Sequence, residues 1–114
     1  MQIEQLLNRY QSGERDFSKT DLAGADLSNV DLSGSDLSLA NLKAANLSRA
    51  NLRGTNLSGA ILQKANLSQA DLTKANLNMA DLGFANLSNA NLSGASMQMT
   101  ILFRAKLTGA LMPK

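Results

Sequence analysis

The chain contains no cysteine and no histidine. Without thiols there is no disulfide frame and no thiolate nucleophile, and redox usage says nothing about compartment. Without imidazole, the commonest general base and the commonest nitrogen metal ligand are both missing. Aromatic residues make up only 4% of the 114 residues, with no tryptophan, so the core must be aliphatic. The single proline, Pro113, is the penultimate residue. No apolar run approaches the ~18 residues of a membrane span. The amino terminus lacks the basic start and apolar stretch of a signal peptide. One cytoplasmic domain is expected, with no cofactor, no small-molecule substrate and no membrane.

What the chain does have is a period. Leu stands at every fifth position from Leu22 to Leu92, almost always with Asp or Asn before it and mostly with Ala two before it. A helix would repeat its apolar face at about 3.6 residues and a flat strand at 2. Five fits neither. Ala and Leu, two apart, share one face of a short extended segment, and the next three residues, mostly Ser, Lys, Arg, Gln, Gly and Asn, look outward. Because five is odd, a straight strand would reverse its face at every repeat. The chain must therefore bend once per repeat and wrap its Ala and Leu columns around an axis.

Twenty such units follow one another, and their centres form the expected core: Phe17, Leu22, Leu27, Leu32, Leu37, Leu42, Leu47, Leu52, Leu57, Leu62, Leu67, Leu72, Leu77, Leu82, Leu87, Leu92, Met97, Leu102, Leu107 and Met112. Fourteen units carry Ala at the inward small position. The unit A-(D/N)-L-x-x, in unbroken register over residues 15–114, resembles the pentapeptide repeat family. That resemblance implies an all-β fold, a right-handed quadrilateral β-helix with one pentapeptide per side and twenty residues per coil, hence about five coils. At a spacing of about 4.8 Å the coils would stack to roughly 24 Å. Residues 15–114 form the solenoid domain and residues 1–14 a cap.

Residues 2–12 break the period and read as a helix. Ile3, Leu6, Leu7 and Tyr10 fall on one apolar stripe. Glu4 near the start and Arg9 near the end suit the helix dipole, and Gly13 suits a terminator. So short a helix is marginal alone, and the open end of the first coil is its nearest dock. A membrane-surface helix is the alternative, but one Arg makes a poor lipid binder.

Charge is unevenly placed. Residues 1–36 hold seven acidic and three basic residues, a net of −4, and residues 37–114 hold eight basic and two acidic, a net of +6. Asp16, Asp21, Asp26 and Asp31 precede all four centres of the first coil, whereas later coils mostly carry Asn there. Stacked carboxylates repel, while Asn amides can hydrogen-bond up a column. An acidic ring could hold a hard cation; a solvated repeat position is the simpler account.

Conventional catalysis has little to work with. Ser28, Ser48, Ser68, Ser88 and Thr108 should stack as one outward column, but no evident base stands beside them. Asn-Leu-Ser triplets match a glycosylation sequon only because the repeat contains those letters. No Gly-rich phosphate loop is present. The basic residues after position 36 spread over all four expected sides without interleaved aromatics, which argues against nucleic-acid binding. Some proteins of the resembled family bind topoisomerases by mimicking duplex DNA. A regulator of DNA gyrase or another topoisomerase is thus the alternative function, but mimicry calls for an acidic rod and most of this one is basic.

The outward positions also carry large apolar residues. Leu39, Met79 and Met99 fall in one corner column with Gly59 between them. Ile61 and Ile101 share the next outward column, and Phe103 and Phe84 occupy the two after that. Leu111 lies elsewhere. Such a cluster marks a contact surface, unless the side chains merely shield core Leu residues below. The expected function is a noncatalytic structural or protein-interaction solenoid. Its partner is a protein, most simply a second copy, bound through this apolar side or through the C-terminal coil.

The five-residue period makes a sharp distinction between neighbours. Leu67→Lys should unfold the protein, since a charge would enter the bore without a partner, while Ser68→Lys should be close to neutral. Similar melting temperatures for the two variants would remove the inward/outward assignment.

Overall fold

A computed structural model describes residues 1–114. One helix, α1 (Ile3–Gln11), precedes a ladder of parallel bridges that pairs each outward Asp/Asn position with the residue twenty further on, from Asp16↔Asp36 to Asn91↔Leu111. Each pentapeptide contributes a single bridge, so the sheet character lies in the stacking and no side is a long strand. Hydrogen bonds run along the stack in a fixed pattern. Leu22 N–H donates to Asn41 O (2.7 Å), Gly24 N–H to Lys43 O (2.8 Å), and Asn41 N–H returns to Thr20 O (2.9 Å). Backbone groups that point neither inward nor outward are thereby paired.

Between successive bridges the chain turns a corner. Ala25 N–H donates to Leu22 O at 3.1 Å, and Gly24, the second central residue, has φ +69°. A closing bond with positive φ at that position is a type II turn. Four corners return the chain to its starting side, and the short extents of 24 and 23 Å give a nearly square section. The same corner recurs every five residues, and thirteen corner residues are not glycine. A left-handed conformation costs an L-residue roughly 1–2 kcal/mol.

The Asp/Asn preference has its cause here. Asp26 Oδ1 accepts the Ser28 N–H (3.2 Å) and the Ser28 hydroxyl (2.7 Å), and Asn46 Oδ1 accepts the same pair from Ser48 (3.1 and 2.8 Å). Fifteen corners are closed in this way by the oxygen two residues earlier. Asp and Asn are the residues whose side chains reach that N–H. The expected Asn column is thus corrected: the side-chain oxygen folds back onto its own corner instead of bonding the next coil.

Inside, Phe17 and every centre from Leu22 to Leu92 are buried, and Ala residues of the inner small position fill the space between them. Met97, Leu102 and Leu107 are only half-buried, and Met112, expected in the core, is 41% exposed. No coil stacks above these residues in the structure, so half of their contact shell is solvent. At the other end α1 closes the bore. Leu6 is fully buried against the first coil, Ile3 and Tyr10 pack beside it, and Leu7 sits at the margin. Tyr10 Oη donates to Ser33 O (2.7 Å) and the Met1 amino group donates to Asp21 O (3.0 Å), which occupies carbonyls with no coil beneath them. The helix stops at Gly13 (φ +103°), where Gly13 N–H donates to Tyr10 O and Glu14 N–H donates to Arg9 O. That pair of bonds is a Schellman motif.

Two inner small positions are polar and buried. Thr55 Oγ1 donates to Leu32 O at 3.1 Å, but Ser35 Oγ has no partner. An unpaired buried hydroxyl costs free energy that a methyl group does not. Ser35→Ala, the residue most other units carry, should raise stability by about 1 kcal/mol. A chemical-denaturation midpoint at or below that of the parent would show that Ser35 is satisfied in solution.

Candidate interaction surface

The twenty-residue register sorts every outward side chain by side. The side lined inwardly by Leu42, Leu62 and Leu82 has one corner built from Lys19, Leu39, Gly59, Met79 and Met99. Its bridge column carries Asp21, Asn41, Ile61, Asp81 and Ile101. Its far corner carries the pairs Ala23–Gly24, Lys43–Ala44, Gln63–Lys64, Gly83–Phe84 and Phe103–Arg104.

The seven apolar residues expected on this side are all exposed, among them Met99 at 81%, Phe103 at 62% and Phe84 at 53%. The Phe84 and Phe103 rings meet edge-to-face with centroids 5.6 Å apart, a geometry worth about 0.5–1.5 kcal/mol beyond burial. The Arg104 guanidinium lies over the Phe103 ring at 5.5 Å. Leu39, Met79, Phe84 and Met99 occupy left-handed corner positions, with φ between 57° and 62°. A bulky side chain in that region is an outlier. These four residues therefore combine backbone strain with apolar exposure.

The side is not one continuous apolar strip. Asp81 stands between Ile61 and Ile101 in the bridge column, where its Oδ1 accepts Gly83 N–H (3.0 Å) and its Oδ2 accepts Gln63 Nε2–H (2.7 Å). Gly59 leaves room for Leu39, since a Cβ there would sit 2.8 Å from Leu39 Cδ2. Met79, Phe84, Met99, Ile101 and Phe103 thus gather in the C-terminal half, while Leu39 and Ile61 lie lower down. The expectation that no aromatic stands among the basic residues is corrected. In register, Phe84 lies between Lys64 and Arg104 on one corner. The linear sequence conceals this because the three are twenty residues apart. Leu111, on another side, and Met112 are further exposed apolar residues of the last coil.

The acidic first coil holds no convergent ligand set. No group of three or more Asp or Glu side chains comes together. Each carboxylate is instead engaged by its own corner. The Ser28 hydroxyl and then the Ser28 N–H hold the Asp26 carboxyl below the ordinary aspartate range, and Ser18 and Ser33 do the same for Asp16 and Asp31. A carboxylate so stabilised is a weak base, and in later coils an Asn amide that takes no proton fills the same geometry. Serine hydroxyls of the outward column are therefore corner braces rather than activated nucleophiles.

A depressed pKa means that the folded state favours the ionised form. The resulting stability is present above the unfolded aspartate value and is lost as pH falls through the lower folded values. Replacing Asp16, Asp26 and Asp31 with Asn keeps the corner bonds and removes the titration. The triple variant should lose less of its melting temperature below about pH 4 than the parent does. An acid limb identical to the parent's would place the acid sensitivity elsewhere.

A chain wound in twenty-residue coils around a Leu/Ala bore, with a left-handed residue at every corner, is a parallel β-solenoid built of pentapeptides. Residues 16–54, 50–83 and 75–109 match the pentapeptide repeats family, in eight copies, and the chain belongs to that family. No curated protein matches it. Among solved structures it is similar to a pentapeptide repeat protein of the Arabidopsis thaliana thylakoid lumen, with 36% identity and a TM-score of 0.65 over 84% of this chain. The present chain spans only 63% of that protein's length. A pentapeptide repeat protein from the cyanobacterium Cyanothece 51142 matches over 99% of this chain and 96% of its own, with 26% identity and a TM-score of 0.57. A third, from Nostoc Pcc 7120, is 39% identical over 98% of this chain and 85% of its own, with a TM-score of 0.43.

Proposed function

We propose that the chain is a noncatalytic solenoid whose role is protein contact, made through the side that carries Phe84 and Phe103. The reading includes the right-handed sense and the five coils that the pentapeptide pattern implies. One observation carries it. Exposed apolar residues concentrate on one side, four of them at strained corners where glycine or a polar residue would cost less. Shielding of the core does not account for them, because the Leu residues beneath are as fully buried on the other sides. Met and Phe are also residues enriched at protein interfaces. The hydroxyl–carboxylate pairs are corner braces, which supports a noncatalytic rod. The Lys64 and Arg104 corner adds positive charge to a mostly basic rod, which disfavours mimicry of duplex DNA and a topoisomerase target.

The test compares the parent with a Phe84→Ser, Phe103→Ser double variant. The change removes the edge-to-face contact of two partly exposed rings, so the melting temperature should fall by several degrees while the chain stays folded. Sedimentation of the purified proteins reads self-contact, and capture from an extract of the native source reads contact with other proteins. At least one of the two should weaken in the variant. A parent that contacts nothing, or contacts unaffected by the double change, would overturn the reading.

A further inference from the structure

The same side is graded along the rod. Its C-terminal half projects Met79, Phe84, Met99, Ile101 and Phe103, whereas its N-terminal half presents Ala23, Gly24 and Ala44 at the equivalent corner positions. The side also carries Lys19 and Asp21 on its first coil, Lys43 on its second, Asp81 on its fourth and Arg104 on its last, so its charges are mixed in sign along the rod. Large opposes small at its two ends, and each of its two carboxylates has a basic residue at the mirrored height, Arg104 for Asp21 and Lys43 for Asp81.

We propose that this surface binds a second copy of the chain, side against side and antiparallel, about a twofold axis lying across the rod at the level of Ile61. The proposal rests on the interaction reading above and names its partner. A twofold axis in that direction keeps each column facing itself and inverts height. Coil by coil, Phe103 then meets the partner's Ala23, Phe84 meets the partner's Ala44, and Met79 meets the partner's Leu39. Ile61 meets its own copy on the axis. Directly across, Ile101 meets the partner's Asp21 and Met99 the partner's Lys19; Arg104 lies one column from that Asp21, and Asp81 lies one column from the partner's Lys43. The two Lys64 side chains also approach each other, but at the rim, where their stems can carry the charges apart into water. A parallel twofold pairing would instead set the two acidic poles together and ring against bulky corner rather than ring against alanine. Five coils at about 4.8 Å give the side a length of about 24 Å, and with its 24 Å width it offers roughly 580 Å² per partner, the low end of specific interfaces. The contact is isologous, so it closes at two copies and covers the apolar half without growing a filament.

Sedimentation of the full chain should show a concentration-dependent dimer. Asp21→Lys and Arg104→Glu should each raise the dimer dissociation constant by about tenfold through like-charge contact. Combined, they should restore it. Lys106 already occupies the position in its own unit that residue 21 holds, so a lysine there is compatible with the corner. A cysteine pair fixes the orientation, and the cysteine-free chain gives no background. Ala44→Cys with Phe84→Cys should form a disulfide-linked dimer on oxidation. Two coils, about 10 Å, separate these positions within one copy, too far to bridge. Leu39→Cys with Ala44→Cys, which parallel copies would bring together, should not cross-link. A parent that stays monomeric, charge reversals that fail to compensate, or cross-linking by the second pair instead of the first would each overturn the proposal. If the parent is monomeric while Phe84→Ser with Phe103→Ser abolishes capture of another protein, the interaction reading survives and the self-pairing falls.

Discussion

Everything in this rod depends on turning a corner every fifth residue. A straight continuation would send the next Leu into solvent, so the fold exists only where the backbone accepts a left-handed residue. Most proteins assign such positions to glycine. Here thirteen other residues hold them, and the cost, roughly 1–2 kcal/mol each, is offset locally. The offset comes from the turn's closing bond, from the Asp or Asn oxygen that takes the corner N–H, and from the bonds to the coils above and below. The Leu and Ala columns are buried as a result of that geometry, and the ladder then holds one coil on the next.

Because the backbone, the inner side chains and the Asp or Asn braces do all of this, the remaining outer side chains are left free to differ. Serine braces aside, the outer surface contributes little to the fold, and its composition can follow contact and solubility. This is why the apolar residues of one side stand out. A Phe at φ 60° with half its surface in water is favoured by neither the corner nor the solvent. The two ends of the rod also differ chemically. At the N-terminal end α1 covers the bore and takes up carbonyls through Tyr10 and the Met1 amino group. At the other end Leu102 and Leu107 pack against a coil on one side only.

The bore could be read from the linear chain because its signal recurs twenty times. Leu and Ala at fixed offsets define inward and outward whatever the corner looks like. The helix stripe of Ile3, Leu6 and Tyr10 was equally plain. Three features were not legible. The role of Asn as a corner brace needs the turn geometry, since an amide at a regular spacing suits a vertical ladder just as well. The exposure of Met112 depends on what lies above it, which no local pattern encodes. The juxtaposition of Lys64, Phe84 and Arg104 requires residues twenty apart to be placed on one corner, and a scan for local basic-aromatic alternation passes over them. Asp81, which splits the isoleucine column, was hidden for the same reason.

The register that pairs residue with residue twenty further on also sets how such a chain can change length. Adding or deleting one pentapeptide leaves the Leu and Ala columns intact, because any unit fits any side. Every residue beyond the change is nevertheless rotated a quarter-turn about the axis. Phe84 and Phe103 would then face a different direction from Leu39, and the graded side would be broken into parts that no single partner could cover. The bore tolerates drift in steps of five, while the surface keeps its phase only in steps of twenty. Selection on the outside of the rod is therefore a stricter clock of its length than the stability of its inside.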